Sequence, residues 1–367
     1  MKENFLLSLN YFENANGDIT DNILNTDKYS PGLASMRLQQ LPALKAAQSL
    51  KFKVKCLSIR SNRQFSLSMK EKPTICLIGK LTASKLNMEA MIDANLILIK
   101  KLKEIGVPIL LSYCDHHARK NDIHGFFYRE LLHASDHIVT PTIQLAESAK
   151  SLLRPEINFS VIEDPWQIAQ CKPSRQLGEE LNLIWFGQNS NAKYLDKALK
   201  LFKIKGKSAI PCNIKILGSK PTIHLFKTRV KSYPEQYPDW IYHFIEWDGH
   251  KQPQQLKDAL TTSDIALIPS DPSDPSKNGS SHNRLVDAAR AGCIVIASPL
   301  SSYQELSKIA ILGNNFPKML DHAIRNFNII NNNNLRLRSH LLARFSPSSN
   351  QKKWRNLFQL LTNQNKE

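Results

Sequence analysis

Two kinds of segment alternate along the chain. Short apolar runs, most of them ending at glycine or in a polar cluster, are separated by longer stretches whose apolar residues recur at helical spacing. In the first half the runs Phe5–Leu9, Val54–Ile59, Thr74–Ile78, Val107–Leu111, His137–Thr140 and Phe159–Ile162 predict strands. Runs such as Thr74-Ile75-Cys76-Leu77-Ile78 have no polar face, which suits a strand covered on both sides in a parallel sheet. Between them, Gly32–Leu50, Met88–Ile105, Phe126–Ala134 and Ile143–Leu153 read as helices, the first despite Pro42 and the second closed by Gly106 as a C-cap. The alternation Lys51-Phe52-Lys53-Val54-Lys55 predicts a strand with one wet, basic face.

From about Glu163 to Glu179 the pattern stops. Asp164-Pro165-Trp166 and Lys172-Pro173-Ser174 favour turns and extended chain, so this stretch reads as a linker. The pattern then restarts with strands at Leu183–Phe186, Ile214–Leu217, Tyr242–Trp247, Asp264–Pro269 and Cys293–Ala297, and helices at Ala192–Phe202, Gln254–Thr261 and His282–Ala291. The Asn-rich stretch Asn328–Asn334 predicts a break before a last helix near Gln351–Leu361. Strand and helix alternating at this pitch, twice over, predict an α/β fold: two Rossmann-like domains with parallel sheets facing a cleft. The expected divisions are residues 1–165, residues 166–340, and a final helical segment, residues 341–367, packing back on the N-terminal domain.

Composition narrows the class. The chain has 367 residues, enough for two ordinary domains, and its 42% hydrophobic and 22% charged content is that of a globular protein. No stretch approaches the roughly 18 apolar residues of a membrane helix, and the N-terminus lacks the features of a signal peptide, so a cytoplasmic location is the expectation. Cys56, Cys76, Cys114, Cys171, Cys212 and Cys293 form no CxxC pair, which predicts buried reduced thiols rather than a zinc site or disulfides. The formal net charge of +17 attracts polyanions. Lys51, Lys53, Lys55, Arg60 and Arg63 form the densest group and Lys100, Lys101 and Lys103 another. The basic N-terminal half is therefore a candidate for peripheral contact with an anionic membrane or a polyanionic acceptor. Specific nucleic-acid recognition is not expected, because a recognition helix, a zinc motif and an aromatic-rich RNA signature are all missing.

In open α/β sheets, ligands bind beyond the carboxyl ends of the strands. In the second half those ends carry Gly187-Gln188-Asn189, Gly218-Ser219-Lys220 and the loop Ser270–Ser281 before a helix. Gly279, Ser280 and Ser281 let backbone N–H groups approach an anion at that helix start, and Lys277 and Arg284 add positive charge suited to a diphosphate. Asp287, one turn further on, can accept hydrogen bonds from ribose hydroxyls.

The pieces IWFGQNS, KILGSK, SDIALIPS, LVDAARAGCIVIASP and SYQEL follow one another in this order. In that order the chain resembles the GT-B glycosyltransferases, specifically the retaining family-4-like group (glycosyl transferases group 1). The resemblance covers Leu181–Leu306 well and the N-terminal half loosely, through SxRLxxL at Ser35–Leu41, the strand-end Asp115 and ASDHIVTPT at Ala134–Thr142. It implies an enzyme of polysaccharide or glycoconjugate biosynthesis that moves a sugar from a nucleotide-diphosphate sugar donor to a hydroxyl on a sugar, glycan or lipid-linked acceptor. Gly187, Gln188, Gly218, Lys277, Asn283, Arg284, Asp287 and Glu305 would line the donor site, with Lys277 and Arg284 in place of a metal ion. The family often carries two glutamates eight positions apart here. Asp287 stands where the second would be and Gly279 where the first would be, so a non-catalytic, nucleotide-binding homologue is the alternative.

Asp115-His116-His117, with Asp122 and His124 nearby, form a second candidate cluster. Metal-ligand spacings such as HExxH are missing, and adjacent residues at a strand end point in opposite directions, so no metal is expected. By resemblance, Asp115 or His116 would face the acceptor as catalytic residues. No cofactor is expected beyond the nucleotide-sugar co-substrate.

Overall fold

The computed structural model describes residues 3–11, 16–25, 34–60, 72–81, 87–153, 157–171, 177–204, 212–230, 240–247, 253–277 and 279–364. Gly32, Arg63 and Lys172-Pro173-Ser174, singled out above, lie outside the described residues. By its contacts the chain divides into two units. The first holds Met1–Pro165, Asn278–Ser281 and Ser346–Glu367, and the second Trp166–Lys277 and His282–Phe345.

In the first unit the elements run β1 (Phe5–Asn10), β2 (Gly17–Asp18), α1 (Thr20–Leu24), α2 (Leu41–Ser49), β3 (Lys53–Ser58), β4 (Ile75–Ile78), α3 (Met88–Glu104), β5 (Ile109–Ser112), α4 (Ile123–Ala134), β6 (His137–Thr140), α5 (Ile143–Lys150) and β7 (Asn158–Val161). The described strands form one sheet in the order β2-β3-β1-β4-β5-β6-β7, parallel except for the short edge strand β2. The wholly apolar β4 is buried at every position, as its composition predicts, and Lys51, Lys53 and Lys55 are exposed while Phe52 is buried. Two cores cover the sheet, one under α3, α4 and α5 and one under α1 and α2. Trp354, Leu357 and Phe358 of the last helix complete the second core beside Phe52, Ala43 and Leu44.

In the second unit the elements are β8 (Leu181–Gly187), α6 (Asn189–Ile204), β9 (Cys212–Gly218), α7 (Lys220–Val230), β10 (Trp240–Glu246), α8 (Pro253–Thr261), β11 (Ile265–Ile268), α9 (Asn283–Ala291), β12 (Ile294–Ala297), β13 (Ala310–Leu312), α10 (Phe316–Arg325) and α11 (Phe327–Leu342). Helix α12 (Pro347–Gln364) belongs to the first unit. The second sheet is parallel throughout, in the order β10-β9-β8-β11-β12-β13.

Four local expectations are corrected. The predicted helix around Pro42 is a π-turn, Met36–Gln40, followed by α2, with the proline in the first helical turn where no amide donor is needed. Helix α7, strand β13 and helix α10 were not expected. The Asn-rich stretch is not a break but part of α11. Asparagine costs several tenths of a kcal/mol per helical position relative to alanine. Burial of Phe327, Asn331, Asn334, Arg338 and Leu342 along one side of α11 offsets that cost. All six cysteines are free thiols, but Cys114 and Cys171 are only half-buried.

Candidate active site

In the second sheet the chain runs outward from β8 through β9 to β10, then returns to the other side of β8 with β11. The ends of β8 and β11 therefore flank the point where the strand order reverses, the usual ligand position in this architecture. Gly187 and Gly218, at the ends of the paired strands β8 and β9, lie side by side. A Cβ on Gly218 would sit 2.8 Å from Thr222 Cγ2 and 3.0 Å from the Gly187 carbonyl oxygen, so this strand end closes only around a glycine. Gln188 is exposed just before α6, and its carbonyl accepts from Asn191 N at 2.9 Å.

Arg284 lies against the same strand end. Its Nη1 is 3.5 Å from where a Cβ on Gly187 would be. That nitrogen is out of solvent and has no hydrogen-bond partner among the described residues. A buried N–H left unpaired costs about 1–3 kcal/mol, more when charged, so the arrangement favours an incoming acceptor. Asn283 Oδ1 accepts from Arg284 N at 2.7 Å in the first turn of α9. Lys277 ends the turn Pro275–Lys277; its ammonium donates to Asn191 Oδ1 at 3.1 Å and lies 5.5 Å from the Tyr194 ring centroid.

Asp287 does other work than the sequence suggests. Its side chain is buried, and its carboxylate accepts from Gln167 N (2.8 Å), Ile168 N (3.3 Å) and Gln167 Nε2 (3.0 Å). Three of the carboxylate's roughly four lone-pair positions are thus taken by protein donors, and a ribose hydroxyl would share the group with them. Asp287 also fixes the start of the segment that follows Pro165. Arg290 joins it, donating Nε to Ile168 O at 2.8 Å and stacking 3.4 Å from the Trp166 ring centroid. Glu305 is also engaged, by His282 Nε2 at 2.5 Å and Arg344 Nη2 at 2.6 Å. Burial alone would raise the Glu305 carboxyl, but hydrogen bonds and charge from His282 and Arg344 hold it down at about 2.

Gly279, where the family often has glutamate, packs in the first unit. Its φ is +80°, and a Cβ would lie 2.6 Å from the Leu145 backbone. Its carbonyl accepts from Thr142 Oγ1 at 2.9 Å, while Thr142 also caps α5 by accepting from Leu145 N. The position is built for glycine, because a side chain there meets main chain rather than a cavity.

In the first sheet the order reverses between β1 and β4. Asp115 follows the neighbouring β5 and is half-exposed; Lys80, just past β4, makes a close ion pair with it. Burial opposes both charges, but each keeps the other ionised, so Asp115 is held well below the usual carboxylate range and Lys80 above the usual lysine range. Lys80 was missed in the sequence, because nothing local marks it; only adjacency of β4 and β5 brings it to Asp115. Asn10, at the end of β1, was missed for the same reason: its Oδ1 is buried without a hydrogen-bond partner among the described residues, and a Cβ on Gly79 would meet it at 2.7 Å.

His116 is 2% exposed. The Tyr113 hydroxyl accepts from Ala118 N at 3.2 Å and lies 2.9 Å from His116 Nδ1. The two share one hydrogen bond whose direction follows the imidazole tautomer, and Nε2 has no partner among the described residues. Burial, with Arg119 and His117 nearby, lowers the ring to about 4, so it is neutral. His117 Nε2 is 3.5 Å from Asp115 Oδ2, and its ring packs at a tilt against those of His124 (centroids 4.5 Å apart) and Tyr128 (4.9 Å). Asp122 stands apart from this group, since its carboxylate caps α4 by accepting from Gly125 N at 2.8 Å.

Solved structures share this architecture. The chain superposes on Anabaena Alr3699/HepE, solved with UDP and glucose, at a TM-score of 0.62, with 10% identity over 96% of this chain and 99% of that one. Against sucrose-phosphate synthase from Thermosynechococcus elongatus the TM-score is 0.63, with 9% identity over 98% and 99% of the two chains. Against α,α-trehalose 6-phosphate synthase from Burkholderia multivorans it is 0.61, with 9% identity over 99% and 97%. No protein-family model matches the chain, and no curated protein does. At these identities the likeness is one of fold, and the fold is that of the GT-B glycosyltransferases.

Proposed function

We propose that this protein is a glycosyltransferase that moves a sugar from a nucleotide-diphosphate sugar to an acceptor hydroxyl, without a metal ion. The observation that carries the reading is the half-buried Arg284 guanidinium, whose Nη1 is out of solvent and without a partner among the described residues beside the glycine end of β8, with the Lys277 ammonium tethered to α6. When the bond from the sugar C1 to the diphosphate oxygen breaks, the electron pair leaves with the diphosphate. Two fixed cations then stabilise that developing charge, the work a divalent ion does elsewhere. The acceptor oxygen forms the new bond to C1, and its proton passes to the departing diphosphate oxygen or to solvent.

On the acceptor side the first unit offers two different groups. Asp115, kept ionised by Lys80, can accept a hydrogen bond from an acceptor hydroxyl. His116 is neutral, and its Nε2, without a partner among the described residues, can exchange a hydrogen bond with an acceptor hydroxyl. A sugar, glycan or lipid-linked acceptor fits these roles. The first unit exposes Lys100, Lys101, Arg119 and Lys120, and also Ile123 and Phe126, a composition that suits peripheral contact with an anionic membrane. No helix among the described residues is long and apolar enough to cross one.

The alternative, a non-catalytic nucleotide-binding homologue, drew its support from Gly279. The packing of Gly279 against Leu145 gives that glycine a structural reason of its own and weakens the alternative. A thermal-shift panel of nucleotides and nucleotide-sugars tests the proposal. Stabilisation by at least one nucleoside diphosphate is expected, and it should be lost in Arg284→Ala and Lys277→Ala. No stabilisation by any of them would overturn it; donor hydrolysis or transfer would remove the non-catalytic alternative.

A further inference from the structure

The turn that carries Lys277 is tied at every step to helix α6. The Tyr194 hydroxyl donates to Asp274 Oδ2 at 3.0 Å. Asp274 Oδ1 accepts from Ser276 N at 2.9 Å, and the Asp274 carbonyl accepts from Lys277 N at 2.9 Å. The Lys277 side chain then returns to the same helix, where its ammonium donates to Asn191 Oδ1 and lies over the Tyr194 ring. Asn191 and Tyr194 are three residues apart, hence neighbours on one face of α6. Lys193 places a second ammonium 4.8 Å from the same ring centroid.

Such a circuit is costly for what it gains in stability. A lysine side chain carries about 2 kcal/mol of rotamer entropy, while a half-exposed hydrogen bond contributes about 1 kcal/mol. The arrangement gains when an anion arrives, because the cation it meets has already lost its rotamer freedom. We propose that Asn191 and Tyr194 are positioning residues that hold the Lys277 ammonium ready for a diphosphate, Asn191 through its side-chain oxygen and Tyr194 through its ring and its grip on Asp274.

The inference rests on the diphosphate role proposed for Lys277, and the test separates the two. Binding of UDP, GDP, ADP and inorganic pyrophosphate to the full chain is measured by calorimetry for the parent, Lys277→Ala, Asn191→Ala, Asn191→Gln, Tyr194→Phe and Tyr194→Leu, and for the doubles with Lys277→Ala. Lys277→Ala is expected to weaken the best of these ligands about tenfold, and Asn191→Ala and Tyr194→Leu about three- to tenfold. Tyr194→Phe, which keeps the ring and loses the Asp274 bond, should fall between parent and Tyr194→Leu, and Asn191→Gln should recover part of the loss. In the Lys277→Ala background neither Asn191→Ala nor Tyr194→Leu should weaken binding further. Equal weakening with and without Lys277 overturns the positioning role and leaves the diphosphate role standing. Asn191→Ala, on the more open side of the circuit, keeps the test decisive if Tyr194→Leu fails to fold. If Lys277→Ala binds like the parent, the diphosphate role itself falls.

Discussion

The strand ends of the two units are made of opposite materials. In the second unit, glycines end β8 and β9, and a guanidinium stands beside them with one nitrogen unpartnered among the described residues. In the first, charge is met by charge: Lys80 holds Asp115, and the histidines around them are kept neutral by burial. A half-buried cation with an unpartnered N–H favours an anionic ligand, whereas paired charges and neutral ring nitrogens suit hydrogen bonds to hydroxyls. Similar sheets thus present different chemistry, because the difference lies in a few residues at the strand ends rather than in the fold.

The largest expected effect tests whether Asp287 belongs to the ligand or to the frame. Asp287→Ala removes the acceptor of the buried Ile168 amide and of the Gln167 amide beside it, and leaves a gap at a buried position, so the second unit should lose about 2–4 kcal/mol in urea unfolding. An unchanged unfolding midpoint with weaker nucleotide binding would return Asp287 to the ligand side. Next is Gly279→Ala, which adds a Cβ against the Leu145 backbone at a positive φ; a loss of about 2–3 kcal/mol is expected, read as a lower Tm. Parent-like stability there would mean that the loop tolerates a side chain after all.

Arg284→Met separates binding from folding. Removing an unpartnered guanidinium should leave the Tm equal or slightly raised, while affinity for a nucleoside diphosphate falls about tenfold. A drop in Tm with affinity intact would make Arg284 a structural residue. The smallest effect is in acid. His116 and His124 are lowered from 6.5 to about 4, so their contribution to the first unit is complete above pH 6.5 and is lost as pH falls toward 4. Glu305 is lowered from 4.5 to about 2, so its contribution to the second unit is complete above pH 4.5 and is lost toward pH 2. Hydrogen exchange followed from pH 7 to 3 should therefore show the first unit losing protection before the second. Simultaneous loss would break the contrast.

Much of this was legible in the residues. Apolar runs such as Ile75–Ile78 and Ile294–Ala297 declare buried parallel strands, because only a side chain covered on both faces lacks a polar alternate. The glycine ends of β8 and β9, and Lys277 and Arg284 before and within α9, are short-range signals. Helix α11 was hidden because its asparagines argue locally against a helix, and only contacts distant in sequence offset them: Arg338 donates to Ala289 O and to Cys171 O.

What the sequence by itself determined is the two-fold α/β repeat and the cationic loop, since both rest on periodicity and on residues a few positions apart. The tertiary structure alone decided which charges are spent. Asp287 and Arg284 are one turn apart on the same helix and look alike as site residues. Packing gives the first three hydrogen-bond donors from the segment after Pro165 and leaves the second with a nitrogen unpaired among the described residues. It also brings Lys80 to Asp115 across two adjacent strands, 35 residues apart in the chain. A residue's partners come from strand order and burial, and neither is written in its neighbours along the chain.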